Sequence, residues 1–263
     1  MPVLSNILKF KSIRQKLLFY LKTHYYREFN ISIPLKNGYW AQLLEPDSYD
    51  SFSEIFIKEE YKDLLPKETP SKVIDLGSHY GFFSLWLQSI YPESKLKCLL
   101  IEPSALCFPS LKALTANEQF NGRFIHLDQV IGDPSEGTST FYERPFMASS
   151  ALPNSMDEQS RSAQVLAVEN VTQKMPPPYD LIKCDVEGAE WEFLKHYEPI
   201  IKASRTLVME WHSWHSGGGG YPQIRSRLEQ LGFTVTKSSD PIEAEGRDGE
   251  VGLLQATNQR TVN

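Results

Sequence analysis

The run Asp75-Leu76-Gly77-Ser78-His79-Tyr80-Gly81 joins an apolar stretch to a helical one. At such a junction Gly77 permits a tight turn, and Gly81 is expected to let the following helix approach a ligand closely. A dinucleotide-binding loop would read GxGxxG and rest a pyrophosphate on the helix N-terminus. Here the pattern is DxGxxxG, and the Asp75 carboxylate repels phosphate but suits a cation. Glu102 follows Gly81 by 21 residues and closes the next apolar run, where an acid can accept two hydrogen bonds from a ribose diol. A positively charged nucleoside without phosphate satisfies both positions, and S-adenosylmethionine is such a ligand.

A second group of polar residues closes later apolar runs. Asp185 directly follows YDLIKC (179–184) at the strand end, with Lys183 two positions earlier on the same strand face, so a Lys–Asp pair is expected. Glu187-Gly188-Ala189-Glu190 then opens a helix, whose N-terminal dipole favours carboxylates, and Glu190 reads as a cap. Glu210, Trp211 and His212 end TLVM (206–209) and its extension. Trp211 reads as core. Asp185, Glu210 and His212 are the candidates for removing or orienting a proton on an acceptor. Two carboxylates and an imidazole could equally hold a divalent ion. The metal-free arrangement is the expectation, because no motif sets a third carboxylate beside them. Two tempting signals are set aside. Pro176-Pro177-Pro178-Tyr179 precedes its strand, whereas a loop accepting from a target amine must follow one. His212 and His215 have HxxH spacing but no thiolate or further histidine nearby in sequence to complete a zinc site.

The elements that must position these groups are short apolar runs alternating with helical stretches. Lys72–Leu76, Lys97–Ile101, Arg123–Leu127, Tyr179–Cys184 and Thr206–Met209 read as buried strands, with helices over Phe82–Ser89 and Leu106–Gln119. Near-continuous apolar strands separated by helices imply a parallel sheet covered on both faces. Phe233–Thr236 and Val251–Gln255 suggest a terminal antiparallel pair. The expected fold is therefore α/β: a doubly wound, mostly parallel seven-stranded sheet with that pair at one end. Residues 1–70 read as an N-terminal basic helix and a cap, and 71–263 as the main domain, with a hairpin-like insertion at about 138–171. Gly217–Gly220 reads as either a linker or a mobile loop at the binding edge.

VIDLGSHYGFFSLWL (73–87), LLIEPS (99–104), DLIKCDVEGAEWEFLK (180–195) and TLVMEWH (206–212) together resemble the FkbM-type methyltransferases over roughly residues 45–215. His79-Tyr80 departs from the family's more usual Asn-Ile but leaves Asp75 and both glycines in place. The resemblance implies a Rossmann-like class I fold and transfer of a methyl group from S-adenosylmethionine, with S-adenosylhomocysteine as product. The acceptor it implies is a hydroxyl of a sugar or specialised metabolite. It also implies Asp75, Gly77 and Gly81 around the methionine part of the cofactor and Glu102 on the ribose. The adenine is expected near the third strand's end, around Asp128 to Val130. A Rossmann-type nicotinamide oxidoreductase is the alternative enzyme, though the loop lacks its third glycine. An inactive binding protein of the same fold would have no need of the strand-end polar residues.

Net charge is −6, against the clustered excess of Lys and Arg that phosphate backbones require, so no nucleic-acid partner is expected. Six basic residues and no acid precede Glu28, with Phe10, Ile13, Leu17 and Leu21 at helical spacing. This basic amphipathic helix either packs on the acidic remainder or contacts an anionic membrane surface. Cys98, Cys107 and Cys184 read as reduced thiols, and no apolar run reaches the length of a membrane span, so a cytoplasmic location is expected.

Overall fold

The computed structural model describes residues 20, 30–35, 38–45, 47–120, 122–144, 149–150, 159–214, 220–244 and 248–260. The expected basic helix, apart from Tyr20, lies outside these residues, as do His215 and Gly217–Gly219.

The cap comes first. Strands β1 (Ile31–Pro34) and β2 (Trp40–Leu43) pair as an antiparallel hairpin, followed by helix α1 (Ser48–Phe52), which continues as a π-helical turn over Ser53–Lys58. The main sheet begins with β3 (Lys72–Leu76), helix α2 (Phe82–Ile90), β4 (Lys97–Ile101), helix α3 (Phe108–Thr115) and β5 (Phe124–Leu127). A separate antiparallel pair, β6 (Thr138–Tyr142) and β7 (Ser160–Gln164), occupies the stretch where a hairpin insertion is expected. Helix α4 (Val168–Lys174) leads back to β8 (Tyr179–Cys184), helices α5 (Glu190–His196) and α6 (Glu198–Lys202), and β9 (Ser204–His212). After helix α7 (Gly220–Gln230) come β10 (Phe233–Ser238), the short β11 (Ile242–Glu243) and β12 (Glu250–Asn258).

Strands β5, β4, β3, β8 and β9 are parallel neighbours in that order. Strand β12 inserts antiparallel between β9 and β10, so the terminal pair has the expected sense, and β11 adds an eighth strand at its edge. The sheet is doubly wound: β3 continues to β4 on one side, and β8 lies on its other side. Ligands in such sheets bind where the strand order reverses, beyond the carboxyl ends of the strands.

Strand pleating divides the core between two faces. Ile74, Leu76, Ile182, Cys184, Leu207 and Met209 pack on one face beneath α5 to α7. Val73, Leu181 and Val208 face the other way, toward α2 and the cap. Because successive strand residues alternate, Asp75, Lys183, Glu210 and His212 belong to this second face. The cap seals it with aromatic rings: Phe52 meets Phe82 of α2 edge-on at 5.8 Å, and Tyr61 meets Phe83 at 5.3 Å. Helix α2, covered by sheet and cap together, is buried from Phe82 through Ser89. No helix among the described residues is long and apolar enough to cross a membrane.

Candidate active site

A cleft of about 210 Å³ opens beyond the carboxyl ends of β3, β4, β8 and β9. One half is bordered by Ser78, His79, Glu102, Gln129 and Val130, the other by Asp185, Glu187 and Glu210, with Glu54, Glu60 and Tyr61 from the cap.

In the first half, Glu102 is buried and accepts backbone hydrogen bonds from His79 and Ser104, each at 2.8 Å. Burial pushes its carboxyl up to about 7, although both amides pull the other way. Ser78 Oγ and His79 Nδ1 are buried at the cleft without a hydrogen-bond partner among the described residues. Buried polar atoms ordinarily find partners, so these two mark positions that a polar ligand would complete.

The glycines act differently from one another. Gly77 has φ +66°, and a Cβ there would stand 1.7 Å from the Asp185 carbonyl oxygen. The turn therefore needs Gly77 to bring β3 and β8 together. Gly81, at φ +77°, was expected to admit a ligand. A Cβ there would instead stand 2.4 Å from Leu114 Cδ2 and 3.1 Å from Leu100 Cδ2. Gly81 serves the packing of α2 against α3 and does not border the cleft.

Asp75 also lies outside the cleft wall. Its pleat direction carries the side chain between sheet and α2, where it is fully buried and accepts from Ser84 Oγ at 2.7 Å. Lys183 is its register partner on β8, with Nζ 3.9 Å from Asp75 Oδ1, 3.1 Å from Asp185 Oδ2 and 2.8 Å from the Gly77 carbonyl oxygen. Asp75 thus bears on the loop through Lys183. Asp128 is turned outward, half-exposed and paired with Arg161 at 2.9 Å; Gln129 and Val130 stand at the wall in its place.

In the second half, the Tyr61 hydroxyl lies 3.1 Å from both Asp185 Oδ2 and Glu210 Oε2. Burial works to raise the Asp185 carboxyl, but Lys183 holds it below the usual range. Burial, then Asp185, pushes Glu210 well above it. Desolvation disfavours charge on His212, yet Glu190, with Nδ1–Oε1 at 2.9 Å, and the nearby Glu187 and Glu210 outweigh it and raise the ring to about 10. The ring is thus held between Glu190 and the carboxylates at the strand ends, a setting that favours its charged form. Glu190, the first residue of α5, accepts from the amides of Gly188 at 3.1 Å and Val186 at 3.3 Å in the turn that precedes the helix. Its hold on His212 is an additional role that its position in sequence does not reveal.

A family model for the methyltransferase FkbM domain matches residues 75–235. The chain belongs to this family. It is similar to Methyltransferase sdnD of Sordaria araneosa, with 27% identity covering 83% of this chain and 97% of that protein. Methyltransferase 1 of Beauveria bassiana (strain ARSEF 2860) is 23% identical, covering 69% of this chain and 79% of the relative. Magnesium protoporphyrin IX methyltransferase from Synechocystis PCC 6803, solved with bound SAM, superposes with a TM-score of 0.45 at 12% identity, covering 80% of this chain and 77% of that one. The FkbM match begins at Asp75, so Glu54, Glu60 and Tyr61 precede it. These cap residues carry no motif, and sequence reasoning missed them. The one available signal was their place in an aromatic-rich segment ahead of the sheet.

Proposed function

We propose that this methyltransferase transfers the methyl group of S-adenosylmethionine to a hydroxyl of a small molecule or saccharide. The observation that carries the reading is Glu102, a buried carboxylate fixed by two backbone amides at the cleft. In this reading Glu102 accepts from the ribose hydroxyls. Ser78 Oγ and His79 Nδ1 meet the polar end of the methionine part, while Gln129 and Val130 border the base. The cofactor, when bound, supplies an electrophilic methyl group.

An alcohol is a poor nucleophile, so its proton must leave as its oxygen is methylated. Glu210, in its ionised form, receives that proton, because Asp185 is tied to Lys183 by an ion pair. Asp185 orients the hydroxyl, and Tyr61 fixes the spacing of both carboxylates. Placement of the two reactants accounts for most of the acceleration, and proton removal adds roughly 10²–10⁴-fold.

The test is ligand-dependent stability followed by turnover. S-adenosylhomocysteine should raise Tm in a dose-dependent way, and NAD and NADP should not. Labelled S-adenosylmethionine incubated with a panel of sugars and hydroxylated metabolites should then label an oxygen. Stabilisation by dinucleotides alone, or label found on nitrogen or carbon, overturns the reading.

A further inference from the structure

We infer that Asp185, Glu187 and His212 form a divalent-cation site, suited to Mn²⁺, at the acceptor end of the cleft. Each of the three offers one ligand atom, and these atoms lie within 4.8 Å of one another. Bonds of about 2.0–2.4 Å place two ligands of one ion up to about 4–5 Å apart, so the groups need little adjustment to share it.

His212 supplies the independent observation. It is 2% exposed, and its Nδ1 is held by Glu190 Oε1 at 2.9 Å. That contact turns Nε2 toward Glu187 Oε2 at 3.9 Å and Glu210 Oε1 at 3.8 Å. Neither separation is a hydrogen bond. A buried ring nitrogen thus faces carboxylates that stand back from it by the space an ion occupies. The bond from Glu190 to the far nitrogen is what metal-binding histidines ordinarily have, because it fixes the ring and its tautomer. Asp185 is similarly prepared: Lys183 and Tyr61 both engage Oδ2, which leaves Oδ1 without a hydrogen bond among the described residues.

The strand-end residues alone lack a third carboxylate. The turn after β8 provides one, since Glu187 borders the cleft together with Asp185 and Glu210. Two carboxylates and one imidazole form a mixed hard and borderline set, which favours Mn²⁺ over Mg²⁺, an ion that prefers oxygen throughout. Resting on the O-methyl reading above, the ion binds the acceptor oxygen and makes its proton more acidic. The O–H proton passes to Glu210, the new O–C bond forms as the S–C bond breaks, and S-adenosylhomocysteine leaves.

The experiment is Mn²⁺ titration of the EDTA-treated, dialysed full chain, by calorimetry and by loss of the free-ion EPR signal, with S-adenosylhomocysteine affinity measured on the same samples. One saturable Mn²⁺ site per chain is expected, weakened at least about tenfold in Glu187→Gln and in Asp185→Asn but unchanged in Glu54→Gln. Glu187→Gln keeps the proposal testable if Asp185→Asn fails to fold, because the Glu187 side chain is partly exposed at 27%. Absence of a saturable site, or equal weakening in all three variants, overturns the ion site and leaves a diffusely acidic cleft. S-adenosylhomocysteine binding that persists in that case shows that the cofactor reading has not failed with it.

Discussion

Gly77 and Asp185 meet through their backbones, so closely that a single methyl group on Gly77 would overlap the Asp185 carbonyl oxygen at 1.7 Å. This contact joins the half of the cleft bordered by Glu102 to the half bordered by Glu210. Gly77→Ala should cost more than about 3 kcal/mol, combining a left-handed backbone with a clash against main chain. Gly38→Ala is the control, since Gly38 has φ +82° but nothing within 4 Å of its virtual Cβ. It should cost only about 1–2 kcal/mol. Urea denaturation of the two variants checks the difference.

Glu102 should make cofactor binding depend on pH. Its carboxyl, raised by burial to about 7, is protonated in mildly acidic solution and loses an acceptor site for the ribose diol. Affinity for S-adenosylhomocysteine should therefore increase from pH 6 to pH 8. The stability of the free protein has the opposite sign: the raised carboxyl favours the fold at low pH, and that contribution is lost as pH rises from about 4.5 through about 7. Glu102→Gln should flatten the binding profile and weaken affinity on the order of 10–150-fold. Calorimetry across the pH range measures both effects.

Tyr61→Phe removes one hydroxyl from between two buried carboxylates and should leave the fold standing, because the ring still packs on Phe83. Loss of a hydrogen bond to charged groups predicts a fall in kcat of about 10–150-fold, with S-adenosylhomocysteine affinity unchanged. A variant that binds the cofactor poorly but turns over normally would place Tyr61 in the wrong half of the cleft.

Lys183→Met should be more damaging to stability than to any single contact. Lys183 lies between Asp75 and Asp185, and burial disfavours its charge, but those two carboxylates raise its pKa nevertheless. Removing the cation leaves two carboxylates uncompensated, at a cost of about 3–5 kcal/mol. The freed carboxyls then resist ionisation, so the variant should regain stability as pH falls. Thermal melts of wild type and variant at several pH values show this as a narrowing gap toward acid.

Local sequence determined the strands, their order of use and the sides their residues face. The apolar runs of 72–76, 97–101, 179–184 and 206–209 are too short and too continuous to be amphipathic surface elements, so they had to be buried in a parallel sheet. Period-two alternation then puts Asp75, Lys183, Glu210 and His212 on one face, and chain direction puts Glu102 and Asp185 at the binding edge. All of that is short-range information. Tertiary structure alone decided which of these groups reach the cleft. The pleat that aligns Asp75 with Lys183 also drives Asp75 beneath α2, and Asp128 turns outward to Arg161 from an insertion whose path no periodicity describes. Gly81 answers to Leu114 of α3, Tyr61 arrives from the cap 124 residues before Asp185, and Glu190 finds His212 22 residues later. These contacts depend on how helices and loops cross the sheet, which is set by packing between segments far apart in the chain and leaves no repeating signal in either one.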